Sequence, residues 1–427
     1  MRTAEEKSQS CPECGAEIHA DGRFVSWCGA CDWNVDPEGP HQEGDRLDRA
    51  RRALARRHGE KLLGEVTAGG SLRARRDTFS LLAFAMALAV HGVTVALVVG
   101  GAWWLVRGWG GAGMVPGLLL LAVAWPLRPR GARLPEAGPV LHRDEAPELF
   151  ALVDEVARVV GTRGVDRIWV DAEVNASVMA YGVRGRRLLT LGLPLWEILT
   201  PQQRVALLGH ELAHYSNGDT RHGPVLSTAY RSLTTWHYYF CPTADPSVAE
   251  MVVNLLFAVP RLFLKGVLTL LDHLTLQATQ RAEYLADREA ARAASTEAAV
   301  GLMDRLLVAD SVAVALRREV SRAALVGTRG ARTSEAEPAE IWDRLRAHMA
   351  SIPDHEYERQ RRVGVRRGHS VDATHPPTHL RRACLLAGPS APAVVATDDD
   401  RERLITAELA GARTTVARRI VREGFGS

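Results

Sequence analysis

The chain has 427 residues, a formal net charge of +3 and 46% hydrophobic residues. That length allows two or three domains with a sizeable core in the largest, and so small a charge gives no argument for nucleic acid as the main partner, and none is expected. Lysine occurs only at Lys7, Lys61 and Lys265, so arginine carries almost all the positive charge, a bias that reads as genome composition.

The first residues are polar and the first long apolar run begins near Thr78, so no secretory signal peptide is expected. What opens the chain, over 1–45, is a segment with two C-x-x-C knuckles, Cys11/Cys14 and Cys28/Cys31. Four thiolates at this spacing can close a tetrahedral structural zinc site, a reading preferred to a redox dithiol or an iron site, and in so short a segment metal binding would itself supply the folding energy. A zinc ribbon of this kind argues for a reducing compartment, the cytosol. Phe24, Trp27 and Trp33 either cover the small core around the metal or offer a face to a partner protein. Cys241 and Cys384 stand alone and read as buried thiols.

A basic linker is expected over 46–77, with Arg49, Arg51, Arg52, Arg56, Arg57, Arg73, Arg75 and Arg76. From 78 to 106 there is no charged side chain, which exceeds the ~20 residues needed to cross a bilayer. A second apolar run, 108–127, is just long enough to return, although glycine breaks its first half and a buried soluble helix suits it too. Trp103, Trp104, Trp109 and Trp125 stand near the ends, where aromatic belts form. Arginines crowd before the first run and follow the second, while the turn between holds only Arg107. The reading is a transmembrane helical hairpin over 78–128 with both ends in the cytoplasm.

The largest domain is expected over 140–388. A helix from 144 to 160 stops at Gly161, and strand-like segments follow at 165–170 and 188–191. A short sheet of this kind offers an edge strand to an extended peptide. Next comes TPQQRVALLGHELAHYSNGDT, residues 200–220. Thr200 is a good N-cap, Pro201 suits the first helical position, and Gln203 sits where a capping box wants an amide. On the resulting helix His210 and His214, four apart, project from one face in the geometry two imidazoles need to hold one zinc ion. Glu211 lies beside them, placed to take a proton from water at the metal.

A third ligand is sought on the second helix that QRAEYLADREAARA implies, where Glu283 and Asp287 share a face at i and i+4. Glu283 would complete a two-His, one-Glu site with the fourth position left to water, and Asp287 would orient a ligand histidine through its outer nitrogen. The same pair also suits an alternating-charge solvated helix. Between the two metal helices, 223–272 is hydrophobic but carries Arg231, Arg261 and Lys265, and because the ligands meet at one ion it crosses the membrane an even number of times or not at all. It is read as membrane-associated without full crossing. A basic stretch, 359–367, precedes THPP, and after a Pro/Ala/Asp-rich linker the tail, 389–427, carries an amphipathic helix over 400–422.

HELAHYSNGD followed by EYLAD and THPPTHLRR resembles the HtpX-type membrane zinc endopeptidases, gluzincins whose relatives include the CAAX prenyl endopeptidases. The resemblance reaches back to Asn175, Ala176 and RRLLTLG and so covers about 141–386. It implies zinc ligands at His210, His214 and Glu283, a catalytic base at Glu211 and a supporting Asp287. It also implies that Asn175 and Ala176 lie along the substrate backbone and that His375 donates to the developing oxyanion. After the Pro-Pro pair this chain has His379 and Leu380 where the family tends to carry acidic residues, while Arg381 falls where the family places an arginine.

The expected fold is therefore α+β and mostly helical, a gluzincin-type domain with a small sheet, preceded by a membrane hairpin and a zinc ribbon. The expected activity is cleavage of membrane or membrane-proximal proteins on the cytosolic side of the inner membrane, with one catalytic and one structural Zn2+. By resemblance, the role is protein quality control. The competing reading is a catalytically silent membrane scaffold or regulator that acts through its ribbon.

Overall fold

The computed structural model describes residues 7–37, 39, 46–68, 78–135, 138–182, 184–216, 223–327, 337–367 and 376–425. Strands β1 (Lys7–Ser10) and β2 (Glu17–Ala20) pair antiparallel and bracket the first cysteine knuckle. The core of this ribbon amounts to Cys11, Ile18 and Cys28, with Ala16 and Trp33 against them. Most of the stretch expected as a basic linker is instead helix α1 (Arg46–Thr67). It is held from outside the segment, because its Leu62 packs with Tyr284, Leu380 and Cys384 of the large domain.

Helix α2 (Thr78–Arg107) has 30 residues and is the one helix, among the described residues, that is by itself long and apolar enough to cross a membrane. The return run becomes helical only at α3 (Met114–Leu127), whose 14 residues span about 21 Å, short of the ~30 Å hydrocarbon thickness. The shortening has a local cause. Gly108 turns against the backbone of Gly113 so closely that an added Cβ would lie 2.3 Å from the Gly113 carbonyl carbon.

The sheet consists of β3 (Val140–Leu141), β4 (Arg167–Asp171), β5 (Ala176–Tyr181) and β6 (Arg186–Gly192) in the order β3-β4-β6-β5. β4 and β6 run parallel and the other neighbours antiparallel, which leaves β5 as an edge. Helix α4 (Pro147–Val160) ends at a left-handed Gly161, as the sequence suggests, and α5 (Leu193–Ile198) leads into α6 (Pro201–Ser216). Helices α7 (Pro224–Tyr239), α8 (Val248–Leu256) and α9 (Ala258–Ala294) follow; α8 and α9 meet at a 44° bend and together are long and apolar enough for one broken span or a re-entrant loop. The first half of α9 packs with α7 and α2 around Ala87, Leu233, Trp236 and Leu271, a second core apart from the main one. Cys241, read as a buried thiol, is exposed because it sits in the turn after α7, where nothing covers it; Cys384 is buried.

Helices α10 (Thr296–Leu307), α11 (Ala309–Gly327), α12 (Glu337–Ala350), α13 (Asp354–Arg367) and α14 (Thr378–Ala387) complete the large domain. The tail helix breaks at Leu409 into α15 (Asp399–Glu408) and α16 (Ala410–Glu423), and both halves join the main core through Ile405, Leu409, Val416 and Ile420. The Glu408 carboxylate accepts from the backbone N–H groups of Glu148 and Leu149 at 2.8 and 2.9 Å, so the tail caps the first turn of α4. Glu402 pairs with Arg204, which is buried near the start of α6 and also donates to the Trp196 carbonyl at 2.9 Å.

Candidate metal centre

The helix that begins at Thr200 does so by the chemistry its sequence offers. The Thr200 N–H donates to Gln203 Oε1 at 3.0 Å, and the Gln203 N–H donates to Thr200 Oγ1 at 3.3 Å, a reciprocal capping box. From Arg204 to His214 every residue of α6 is buried, so this helix is packed on all sides. Where α9 crosses it the contact is between small residues: a Cβ on Gly209 would lie 3.0 Å from Ala290 Cα and 3.3 Å from Ala293 Cβ. That close crossing sets Glu283, two turns before Ala290, beside His210.

Three donor atoms meet there. His210 Nε2 and His214 Nε2 are 3.4 Å apart; Glu283 Oε2 is 3.4 Å from His210 Nε2 and Oε1 is 3.7 Å from His214 Nε2. A tetrahedral zinc ion with bonds near 2.05 Å holds its ligand atoms about 3.3 Å apart, so the donor set fits such an ion in spacing as well as in chemistry. All three side chains are buried. Asp287 Oδ1 accepts from His210 Nδ1 at 3.0 Å, which leaves Nε2 facing the other donors. The i and i+4 carboxylates of α9 thus converge on the centre, and the solvated-helix reading of them fails.

A residue outside the expected ligand set completes the arrangement. Arg381 of α14 is buried and grips Asp287 with two bonds, Nε to Oδ2 at 2.8 Å and Nη2 to Oδ1 at 2.6 Å. Burial alone would raise the Asp287 pKa, but Arg381 and then His210 overcome it and hold the carboxyl far below its usual range. Burial and Arg381 likewise oppose charge on His210; the Asp287 and Glu283 carboxylates outweigh them and raise its pKa to about 9. The field that favours a proton on this imidazole favours a divalent cation in its place.

Glu211 is buried next to His210 on the same helix. Asn175 is exposed just ahead of β5, with its Oδ1 accepting from the Ala176 N–H at 2.9 Å, and neither residue joins the donor cluster. Strand β5 nonetheless faces α6, since the Tyr215 hydroxyl donates to the Met179 carbonyl at 2.9 Å. His375 lies outside the described residues.

The four ribbon cysteines form the second cluster. Cys11 Sγ and Cys31 Sγ are 3.6 Å apart and Cys14 Sγ and Cys28 Sγ 3.5 Å, close to the ~3.7 Å edge of a zinc tetrathiolate. The Cys31 backbone N–H, more than any other group, stabilises Cys28 as thiolate and brings its pKa down to about 7.

Two clusters fit for metal therefore stand on a mostly helical chain with small sheets. No curated protein and no solved structure gives a match to this chain. The sequence profile of peptidase family M48 matches residues 144–387, more than half of the chain and all three of the buried donors; the protein belongs to that family, the one that includes the HtpX-type and CAAX peptidases.

Proposed function

We propose that the protein is a membrane-anchored zinc endopeptidase that cleaves membrane or membrane-proximal proteins on the cytosolic side. The observation that carries the reading is the meeting of His210, His214 and Glu283, from helices more than sixty residues apart, at 3.4 to 3.7 Å in a chain of an M48 family. His210, His214 and Glu283 would hold the catalytic ion, and Cys11, Cys14, Cys28 and Cys31 the structural one. A bound zinc would act as a Lewis acid towards water and the scissile carbonyl.

The remaining work falls to the chain itself. Glu211 takes a proton from the attacking water and returns it to the leaving amine. Asp287, held by Arg381, keeps His210 in one tautomer and one orientation. The free edge of β5, entered through Asn175 and Ala176, binds an extended substrate by backbone hydrogen bonds.

Several features support a membrane setting. Helix α2 is about 45 Å long and carries a largely exposed apolar surface that includes Leu81, Phe84 and Val99. Helix α8 buries none of its residues, and Val248 and Leu255 are 81% and 74% exposed. Arg107 lies over Trp103 and Arg128 over Trp125, cation and ring together at the ends of apolar helices. These surfaces support membrane contact by α2 and by 223–272, and the arginines before α2 and after α3 favour the cytosolic side for both ends, with the ribbon and the peptidase domain. Quality control of membrane proteins is the role this location suits.

The test is metal content and proteolysis of an unfolded protein by the detergent-purified full chain, with Glu211→Gln beside it. The variant is expected to retain both ions and to lose at least ~10²-fold in cleavage rate. Undiminished cleavage by the variant would remove Glu211 from the reaction, and a wild-type chain that holds one ion and cleaves nothing would favour the ribbon-based regulator.

A further inference from the structure

Helix α13 is an unusual element of the large domain. Its buried residues are Glu356, Arg359, Val363 and Gly364, so it has almost no apolar stripe with which to hold its place. What it has is arginine, and much of that arginine is used on the ribbon. Arg362 and Arg366 pair with Asp32 at 2.6 and 3.0 Å. Arg367 grips Asp36 with two bonds, and Arg359 donates to the Val35 carbonyl at 2.9 Å. Between these charges Trp27 and Val35 close over Val363. The ribbon loop that presents Asp32 and Asp36 begins at the second cysteine knuckle, so the dock exists only when the knuckle is folded.

From the other side of α13 the contacts continue inward. Arg361 binds Asp304 of α10 at 2.9 and 3.0 Å, and Arg382 of α14 binds the same carboxylate at 2.9 Å. Next to Arg382 in the chain is Arg381, which holds Asp287, which in turn orients His210. Charged contacts, joined through the backbone at Cys31–Asp32, Arg361–Arg362 and Arg381–Arg382, thus lead from the tetrathiolate cluster to the His/His/Glu centre.

Building on the metallopeptidase reading above, we propose that the ribbon is a positioning module for the catalytic centre. Asp32 and Asp36 fix α13, and through Asp304 and α14 they fix the guanidinium that aims His210. Neither aspartate touches substrate or metal. Their removal is expected to change how the catalytic ion is held and how fast it is used, rather than how well substrate binds.

The experiment uses the full chain in detergent with Co2+ in both sites, where the tetrathiolate and the His/His/Glu ion absorb at different wavelengths. Three variants are compared with wild type: Asp32→Asn with Asp36→Asn, Arg362→Gln with Arg367→Gln, and the exchange Asp36→Arg with Arg367→Asp. The two neutralised pairs, broken from opposite sides, should each keep two ions per chain, lower kcat roughly tenfold with KM within about twofold, and shift the absorption of the His/His/Glu ion while that of the tetrathiolate stays. The exchange should recover most of the kcat. Unchanged kcat in both neutralised pairs, a loss confined to KM, or an unshifted catalytic absorption would overturn the proposal, as would an exchange variant no better than the neutralised ones. A wild-type chain without proteolysis would instead remove the peptidase reading on which the proposal rests.

Discussion

Around Cys11, Cys14, Cys28 and Cys31 the chain has a core of only a few side chains, whereas around His210, His214 and Glu283 it has the largest core in the molecule. Two of the four cysteines are exposed, while all three groups of the other cluster are buried. In the first place a metal must create the local fold. In the second the fold itself assembles the candidate ligands, because the Gly209 crossing and the Asp287–Arg381 grip put the donors at ligand spacing through protein contacts alone. The difference teaches that, on the metallopeptidase reading, a metal would serve two purposes in one chain, and that removing it should have opposite consequences at the two ends.

The largest expected effect is all-or-none and falls on the ribbon. Cys28→Ser should lower the metal content from two ions to one and make residues 7–37 sensitive to protease, while the main thermal transition of the body persists; a ribbon that stays resistant would break the contrast. Next comes the buried pair. Arg381→Leu leaves Asp287 charged in a dry site and should destabilise the body by about 3–5 kcal/mol in urea unfolding. A cost below ~1 kcal/mol would mean that the centre is wetter than its packing implies.

Gly209→Val probes the crossing itself. Forcing α9 away from α6 should cost about 1–3 kcal/mol and empty the catalytic site in part while the ribbon keeps its ion, as read by metal analysis and calorimetry. The smallest effect should come from Arg366→Ala. Arg366 and Asp32 are both exposed by a third or more and Asp32 keeps Arg362, so the loss should stay within ~1 kcal/mol and shrink further as salt is raised.

Much of the centre was legible because its information is local. The capping box at Thr200 and Gln203, the i and i+4 histidines and the i and i+4 acids of α9 are each written within a few residues, and each appears in the structure. What the string of letters hides is pairing at a distance. Nothing near Arg381 announces that its partner is Asp287, and Glu402 looks like any acid of a solvated tail helix although it is buried against Arg204. Helix α1 was hidden for a similar reason, since what anchors its Leu62 comes from α9 and α14. The basic run of α13 stood in the sequence only as a basic stretch, and its partners Asp32, Asp36 and Asp304 all lie far from it in the chain.

Helix α9 is a single rod of 37 residues, about 55 Å from end to end. Its Leu264, Leu271 and Leu274 lie in the apolar bundle with α2, and its Glu283 lies in the metal centre. From Leu274 to Glu283 the rise is about 14 Å, the length of roughly four residues of extended peptide. On the peptidase reading, the rod would work as a ruler. A client drawn out along this bundle would be cut at a set interval from its greasy stretch, chosen by reach before any side chain is recognised.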